Sequence, residues 1–130
     1  MLLLDTDIMI DVLRRYPPAL AWLTSLGTTP LVLPGYVVME LIQGCRNKAE
    51  QDQLEQVLNA YQIVWPSATA CDAALASFSQ HRLSHSLGII DALIGHTAIA
   101  LGTPLYTFNQ KHYNPITGLT TVQPYTRTTP

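Results

Sequence analysis

Residues 1–11 read Met-Leu-Leu-Leu-Asp-Thr-Asp-Ile-Met-Ile-Asp, and the class of fold follows from this stretch. Its first four residues are apolar and end at an acid, a pattern that predicts a short strand buried on both faces. The apolar residues that follow predict a helix from Ile8 to Arg15, with Thr6 or Asp7 as its N-cap. A buried strand that leads at once into a helix is typical of a parallel sheet covered by helices.

The same alternation of strands and helices continues along the chain. Further strands are predicted over Leu31–Leu33, Tyr61–Trp65, Leu105–Thr107 and Thr120–Gln123. Further helices are predicted over Pro17–Leu26, Pro34–Cys45, Lys48–Ala60, Ser67–Arg82 and Leu87–Leu101. This order predicts an α/β fold with a central, mainly parallel sheet of four to five strands and helices on both faces. We expect a single domain over residues 1–130, with a flexible tail over residues 124–130.

Composition excludes several classes of protein. Of the 130 residues, 48% are hydrophobic and 12% are charged, so the chain can bury enough apolar surface to fold and is not a disordered protein. We expect no membrane helix, because prolines and glycines interrupt the longest charge-free stretch, residues 16–39. The first residues also lack a basic segment, which predicts no secretory signal. We therefore expect a cytoplasmic protein in which Cys45 and Cys71 are reduced and buried.

Three acids stand in strongly apolar sequence. Asp5 ends the first strand, and Glu40 and Asp91 lie within apolar helical stretches. A buried carboxylate without a partner is costly, and no lysine or arginine is adjacent to any of the three. We therefore predict that they share a divalent cation, Mg²⁺ or Mn²⁺, because these ions prefer oxygen ligands.

The remaining charges leave a mildly basic surface around this acidic pocket. The acids in or beside apolar runs are Asp5, Asp7, Asp11, Glu40 and Asp91. Without these five of the nine acids, the chain has 7 basic and 4 acidic residues. This excess permits a nucleic-acid substrate, although it is well short of a strongly basic footprint.

Some of these polar residues also have purely structural explanations. Asp5, Asp7 and Asp91 are candidates for helix N-caps, with Asp7 the strongest candidate, whereas Glu40 is in the middle of its predicted helix, where a cap is not needed. Asp11 is expected to be an exposed helix acid. His112 follows the fourth strand, near the edge of the sheet where ligands bind, and is a candidate substrate contact.

Four segments that contain these residues follow one another along the chain. They are residues 3–11 with Asp5, residues 38–44 with Glu40, residues 90–98 with Asp91, and residues 105–113 with Asn109. Together they resemble the PIN domain family and, within it, the VapC-type ribonuclease toxins of bacterial toxin–antitoxin systems. Many members of that family carry a fourth acid where this chain has Asn109.

The resemblance implies a PIN-like three-layer α/β/α sandwich and endonucleolytic cleavage of RNA that depends on Mg²⁺ or Mn²⁺. The implied catalytic residues are Asp5, Glu40, Asp91 and Asn109. The first three would hold the metal ion. Residues that orient water or contact the substrate would be Thr6, Asp7 and His112. The implied partners are RNA, a cognate antitoxin and a second copy of the chain, and the charge-poor residues 17–36 are a candidate contact surface.

Three other interpretations stay open at this point. The order Leu4-Asp5-Thr6-Asp7 superficially resembles the start of haloacid-dehalogenase phosphatases, but the adjacent acid pair that they need later in the chain is absent. A receiver-like signalling domain needs an aspartate at the end of a mid-chain strand, whereas Asp52 lies in a polar run. A PIN-like module that binds RNA or protein without cutting is favoured only by Asn109.

Overall fold

The structure is a computed structural model and describes residues 1–127. Its strands are β1 (Leu2–Leu4), β2 (Leu31–Pro34), β3 (Gln62–Val64), β4 (Leu105–Tyr106) and β5 (Thr121–Val122). Its helices are α1 (Thr6–Leu13), α2 (Pro17–Ser25), α3 (Gly35–Gln43), α4 (Lys48–Leu58), α5 (Ala68–His85), α6 (Ile89–Leu101) and α7 (Gln110–Tyr113).

The five strands form one sheet in the order β3-β2-β1-β4-β5, and every neighbouring pair is parallel. Successive residues of a strand point to opposite faces of the sheet, and Leu3 and Leu4 in the central β1 are both fully buried. Both faces are therefore covered by helices. The predicted three-layer α/β/α fold with a parallel central sheet is confirmed.

The order of the strands creates a crevice at one edge of the sheet. From β1 the chain proceeds to β2 and β3 on one side, whereas β4 and β5 lie on the other side. The carboxyl ends of β1 and β4 are neighbours, and Leu4 pairs with Tyr106 as the last pair of their ladder. Open α/β sheets bind ligands where the direction of winding reverses in this way. The segments that follow Leu4 and Tyr106 line this crevice.

Several helix boundaries differ from the prediction. α1 begins at Thr6, and among the candidate N-caps it is Asp5, not Thr6 or Asp7, that caps the helix, because the Asp5 carboxylate accepts the Thr6 N–H at 2.8 Å. α6 begins at Ile89 rather than Leu87, because Gly88 is extended. The short α7 was not predicted, since four residues are too few to show a helical repeat.

The carboxyl-terminal residues that the structure describes pack on α1. The Tyr125 hydroxyl donates to Oδ2 of Asp11 at 2.8 Å, and Nε of Arg127 donates to the same oxygen at 3.0 Å. The flexible tail stays a prediction: residues 124–127 include these two contacts, and residues 128–130 lie outside the described part of the chain. Asp11 is correspondingly half-buried and paired, not an exposed helix acid.

Two other expectations concern the cysteines and the membrane. Cys45 and Cys71 are both free thiols, and both are half-buried rather than fully buried. None of the helices within residues 1–127 is long and apolar enough to span a lipid bilayer.

Candidate active site

Asp5 lies at the centre of the crevice, where β1 becomes α1. Its backbone N–H donates to the Tyr106 carbonyl at 3.0 Å, so it continues the ladder between β1 and β4. Its side chain is 4% exposed, and the fully buried Thr107 donates a hydroxyl hydrogen bond to its Oδ2 at 2.8 Å. The ends of two neighbouring strands thus hold one buried carboxylate.

The surroundings of Asp5 disfavour its charge. Burial and, after it, the nearby charge of Asp7 raise its pKa from 3.8 to about 7, while hydrogen bonds from Thr107, Thr6 and Tyr113 act in the opposite direction. Among the described residues, no lysine or arginine forms an ion pair with Asp5. A bound cation would supply the missing positive charge.

Asp7 follows in the first turn of α1 and fixes the turn after β4. Its Oδ2 accepts the Phe108 N–H at 2.8 Å and a longer bond from the Thr107 hydroxyl at 3.3 Å. Burial raises its pKa, and the Phe108 N–H and the charge of Arg127 partly oppose this. Its Oδ1 is buried and has no hydrogen-bond partner among residues 1–127. Asp7 therefore keeps one carboxylate oxygen available for a ligand.

Glu40 reaches the same region from α3 and is exposed rather than buried. The core-facing residues of this helix are Val37 and Leu41, one turn apart, so Met39 and Glu40 between them face outward. The prediction that Glu40 is buried is therefore wrong. The Thr6 hydroxyl donates to its Oε1 at 2.9 Å, which links α3 to the start of α1 beside Asp5.

Asp91 enters from the first turn of α6, and α7 connects it to the other acids. Its Oδ2 accepts the Gly88 N–H at 3.3 Å, so it does help to cap the helix, and it lies 3.7 Å from Nδ1 of His112. The hydroxyl of the buried Tyr113 interacts with Asp5, and the charges of Asp5 and Asp91 contribute to a pKa of Tyr113 that is raised mainly by burial. Asp91 and Asp5 thus both lie near Tyr113.

Asn109 is the exposed N-cap of α7. Its backbone N–H donates to the Thr107 hydroxyl at 3.0 Å, and its side chain makes no capping hydrogen bond. The backbone of Asn109 is therefore fixed to Thr107, and its side chain is exposed next to the crevice.

Sequence reasoning missed two residues of this network, Thr107 and Tyr113. Thr107 is the last residue of the predicted strand Leu105–Thr107, at the ligand-binding edge, a position where a polar residue is itself a signal. Tyr113 gave no comparable signal, because its position next to Asp5 depends on the unpredicted α7.

Comparison with known proteins assigns the chain to a family. The sequence profile of the PIN domain family matches residues 2–115. The chain belongs to the PIN domain family. It is also 30% identical over 115 residues to Ribonuclease VapC10 of Mycobacterium tuberculosis, an alignment that covers 87% of this chain and 86% of that protein.

Two solved structures are similar to this PIN domain along almost its whole length. A toxin–antitoxin complex from Klebsiella pneumoniae contains a chain that is 25% identical, with a TM-score of 0.76 and coverage of 96% of this chain and 98% of that chain. The structure of VapBC2 from Rickettsia felis bound to a promoter DNA fragment contains a chain that is 23% identical, with a TM-score of 0.74 and coverage of 92% and 96%. The family match ends at residue 115, so β5, Tyr125 and Arg127 lie beyond it.

The residues of the crevice fit a divalent metal ion in their chemistry. No three His, Cys, Asp or Glu side chains within residues 1–127 are grouped closely enough to hold an ion as they stand. Mg²⁺ usually takes only one or two carboxylates and completes its shell with water, so such a group is not required. The unpartnered Oδ1 of Asp7 and the raised pKa of Asp5 both indicate that a cation would be bound favourably here.

Proposed function

We propose that this PIN domain is a metal-dependent endoribonuclease and the toxin of a toxin–antitoxin pair. The observation that carries the proposal is Asp5, a buried carboxylate at the crevice with Asp7 as its nearest charged neighbour and no basic partner among the described residues. A buried acid in this state is expensive to keep unless it holds a cation. The similarity to a ribonuclease over 87% of the chain supports RNA as the substrate.

The metal ion, Mg²⁺ or Mn²⁺, would be held by Asp5 and Asp91, with Glu40 beside it. When bound, it lowers the pKa of a water molecule and neutralises charge on the phosphate oxygens. The protein residues would divide the remaining work. Thr107 fixes the Asp5 carboxylate through its hydroxyl, and Asp7 adds a second carboxylate beside it.

Glu40 has the properties of the base that accepts a proton from the attacking water. It is exposed, so its carboxylate is in contact with solvent, and the Thr6 hydroxyl holds one of its oxygens at 2.9 Å. The other oxygen is left for the water. Asn109 would contribute its carbonyl oxygen to the water or the phosphate, and His112 would contact the substrate from α7.

A groove next to the site provides a surface for the antitoxin. It has a volume of about 790 Å³ and begins at Thr6 and Glu40. Its apolar lining residues include Ile10, Leu13, Leu41, Leu54 and Val57. Arg14 and Arg46 also line the groove, and Arg46 is paired with Glu50 at 2.7 Å, so an amphipathic segment would find Arg14 as the basic group for an acidic side chain. The name of the Klebsiella pneumoniae structure, a toxin–antitoxin complex, supports a partner of this kind. The homodimer stays a prediction.

Cleavage of total cellular RNA by the purified protein tests the proposal. We expect discrete fragments in Mg²⁺ or Mn²⁺, none in EDTA, and none from Asp91→Asn, which keeps the shape of the side chain. Asp72→Asn is the matched control, because Asp72 is an exposed acid on α5. The alternative is a binding module without nuclease activity. It is supported if the wild type gives no metal-dependent fragments and if the wild type and Asp91→Asn bind RNA equally tightly.

A further inference from the structure

A cluster of aromatic side chains lies beside the crevice, and the proposed cleavage chemistry does not use it. Neighbouring rings are 5.0–6.3 Å apart between centroids. Its members, all half-buried, are Tyr16, Trp22, Tyr106, Phe108 and Tyr125. Tyr106 ends β4, and Phe108 stands between Thr107 and Asn109. The cluster is thus continuous with the candidate active site.

Arg127 lies over the Phe108 ring of this cluster. The centre of its guanidinium group is 3.9 Å from the centroid of the Phe108 ring. Its edge is fixed by two acceptors, since Nε donates to Oδ2 of Asp11 at 3.0 Å and Nη2 donates to the Asp7 carbonyl at 3.4 Å. The side chain is nevertheless 42% exposed. The guanidinium group is therefore in contact with an aromatic ring and fixed by two hydrogen bonds, while much of the side chain remains exposed.

We propose that Arg127, supported by Phe108, is a stacking platform for one unpaired base of the RNA, next to the phosphate that is cleaved. This inference rests on the proposed ribonuclease function and adds a substrate subsite to it. Proteins recognise single-stranded RNA mainly by stacking its bases on aromatic rings and on arginine planes. A guanidinium group that is already fixed by Asp11 and Phe108 loses little freedom when a base covers it.

The position of the platform explains why stacking there would help cleavage. Phe108 donates its N–H to Asp7 at 2.8 Å, and the next residue is Asn109. A base held on Arg127 would therefore place its own backbone at the mouth of the crevice. The guanidinium charge also offsets the repulsion between the acids and the RNA phosphates. The subsite should consequently affect substrate binding more than the chemical step.

An alternative explanation is that Arg127 only pairs with Asp11 and secures the chain end. Three variants separate the two roles. Arg127→Ala removes the plane and the charge, while Arg127→Lys keeps a charge near Asp11 but has no plane to stack. Arg82→Ala is the matched control, because Arg82 is an exposed arginine near the end of α5.

The test combines these variants with cleavage of an identified RNA substrate in which one nucleotide at a time beside the cut is made abasic. We expect KM to rise about tenfold or more in Arg127→Ala and also in Arg127→Lys, with kcat changed less than threefold and Arg82→Ala like the wild type. At one flanking position, the abasic substrate should raise KM for the wild type but not raise it further for Arg127→Ala. Such non-additivity is specific to a base that stacks on Arg127.

Several outcomes would overturn the platform while leaving the nuclease intact. They are a full rescue by Arg127→Lys, an abasic effect that is the same with and without Arg127, or a loss in kcat alone. Because Arg127→Ala also breaks the Asp11 pair, Phe108→Leu serves as a second variant that keeps this pair and must show the same non-additivity. If the wild type cleaves no RNA, the proposed function fails, and the platform is judged by binding alone. Quenching of a single-stranded 2-aminopurine RNA by the wild type, but not by Arg127→Ala, then supports it, and absence of quenching overturns it.

Discussion

The hydroxyl group of Thr107 lies 2.8 Å from Oδ2 of Asp5 and joins the ends of the two neighbouring strands β4 and β1. The same hydroxyl is 3.3 Å from Oδ2 of Asp7 and accepts the Asn109 N–H at 3.0 Å. Thr107 is fully buried, so no water competes for these bonds. One uncharged side chain thus sets the positions of the residues on both sides of the crevice.

Replacement of this hydroxyl by a methyl group should damage both stability and cleavage. In Thr107→Val, the Asp5 carboxylate loses a donor while it stays buried, and the Asn109 N–H loses its acceptor. We expect the free energy of unfolding to fall by about 1–3 kcal/mol. The cleavage rate should fall by more than the loss of folded protein accounts for, since Asp5 is no longer held in place. Chemical denaturation and RNA cleavage measure the two effects.

Thr97→Val is the control for this variant. Thr97 is equally buried, but its hydroxyl donates only to the Leu93 carbonyl within α6, at 2.7 Å. We expect this change to have little effect on cleavage, and Thr107→Ser to keep most of the activity. If the two valine variants lose equal amounts of stability and of cleavage activity, Thr107 contributes to packing and does not position Asp5.

The pKa of Asp5 predicts how the stability of the metal-free protein depends on pH. Because folding raises this pKa from 3.8 to about 7, the folded state holds one more proton than the unfolded state between these values. The contribution of Asp5 to the free energy of unfolding is therefore greatest at low pH and falls as the pH rises from about 4 to about 7. At 1.36 kcal/mol per pKa unit, the total is at most about 4 kcal/mol.

Asp5→Asn should remove this contribution. We compare the free energies of unfolding in EDTA as the value for the variant minus the value for the wild type. This difference should increase with pH from about 4 to about 7 and level off above pH 7. Mn²⁺ added at pH 8 should raise Tm of the wild type but not of the variant, because only the wild type gains a ligand for the ion. The control is Asp72→Asn, because Asp72 is an exposed acid. For this variant the difference in free energy of unfolding should not depend on pH. A flat difference for Asp5→Asn as well would contradict the raised pKa.

The central part of the site could be predicted from the sequence because it depends on residues that are consecutive in the chain. A buried strand that ends at Asp5 and turns at once into a helix places that carboxylate at the ligand edge in any fold of this class. The strand pattern also predicted β4, and with it the neighbourhood of Asn109. These positions follow from hydrophobic runs and turn residues, which are properties of consecutive residues.

The surroundings of that centre could not be predicted, because they depend on contacts between distant residues. Glu40 follows four apolar residues, yet its helix turns Met39, 56% exposed, and Glu40 away from the core. Exposed apolar residues are common, so the composition of one helix does not reveal its buried face. The pair of Asp11 and Arg127 spans 116 positions, and no local pattern connects them.

Gly95 lets the segment after α7 approach α6 closely, and alanine at this position should disturb the site indirectly. A Cβ atom would lie 2.7 Å from Cδ1 of Ile116 and 3.3 Å from Cδ2 of Leu119. Overpacking costs about 1–3 kcal/mol, whereas alanine gains about 1 kcal/mol in helix propensity over glycine. We expect a net loss of about 1 kcal/mol in the free energy of unfolding and a weaker contact between Tyr113 and Asp5.

Gly44→Ala is the comparison for this prediction, measured in the same denaturation experiment. Its Cβ atom would meet nothing closer than the Leu41 carbonyl at 3.5 Å, and its φ of −77° suits alanine. We expect its stability to stay within about 0.5 kcal/mol of the wild type. If Gly95→Ala is as stable as Gly44→Ala, Ile116 moves aside at no cost.

Glu40→Gln should lower catalysis without changing stability, whereas a change at Asp5 is expected to affect both. Glu40 is exposed, and glutamine can still accept the Thr6 hydroxyl, so Tm should not change. Loss of the base should lower kcat about 10²–10⁴-fold, since glutamine cannot take a proton. The matched control is Glu55→Gln, an exposed acid on α4 whose Oε1 accepts a hydrogen bond from Gln51, which should cleave at the wild-type rate. Cleavage by Glu40→Gln at that same rate would limit Glu40 to holding Thr6 and require another residue as the base.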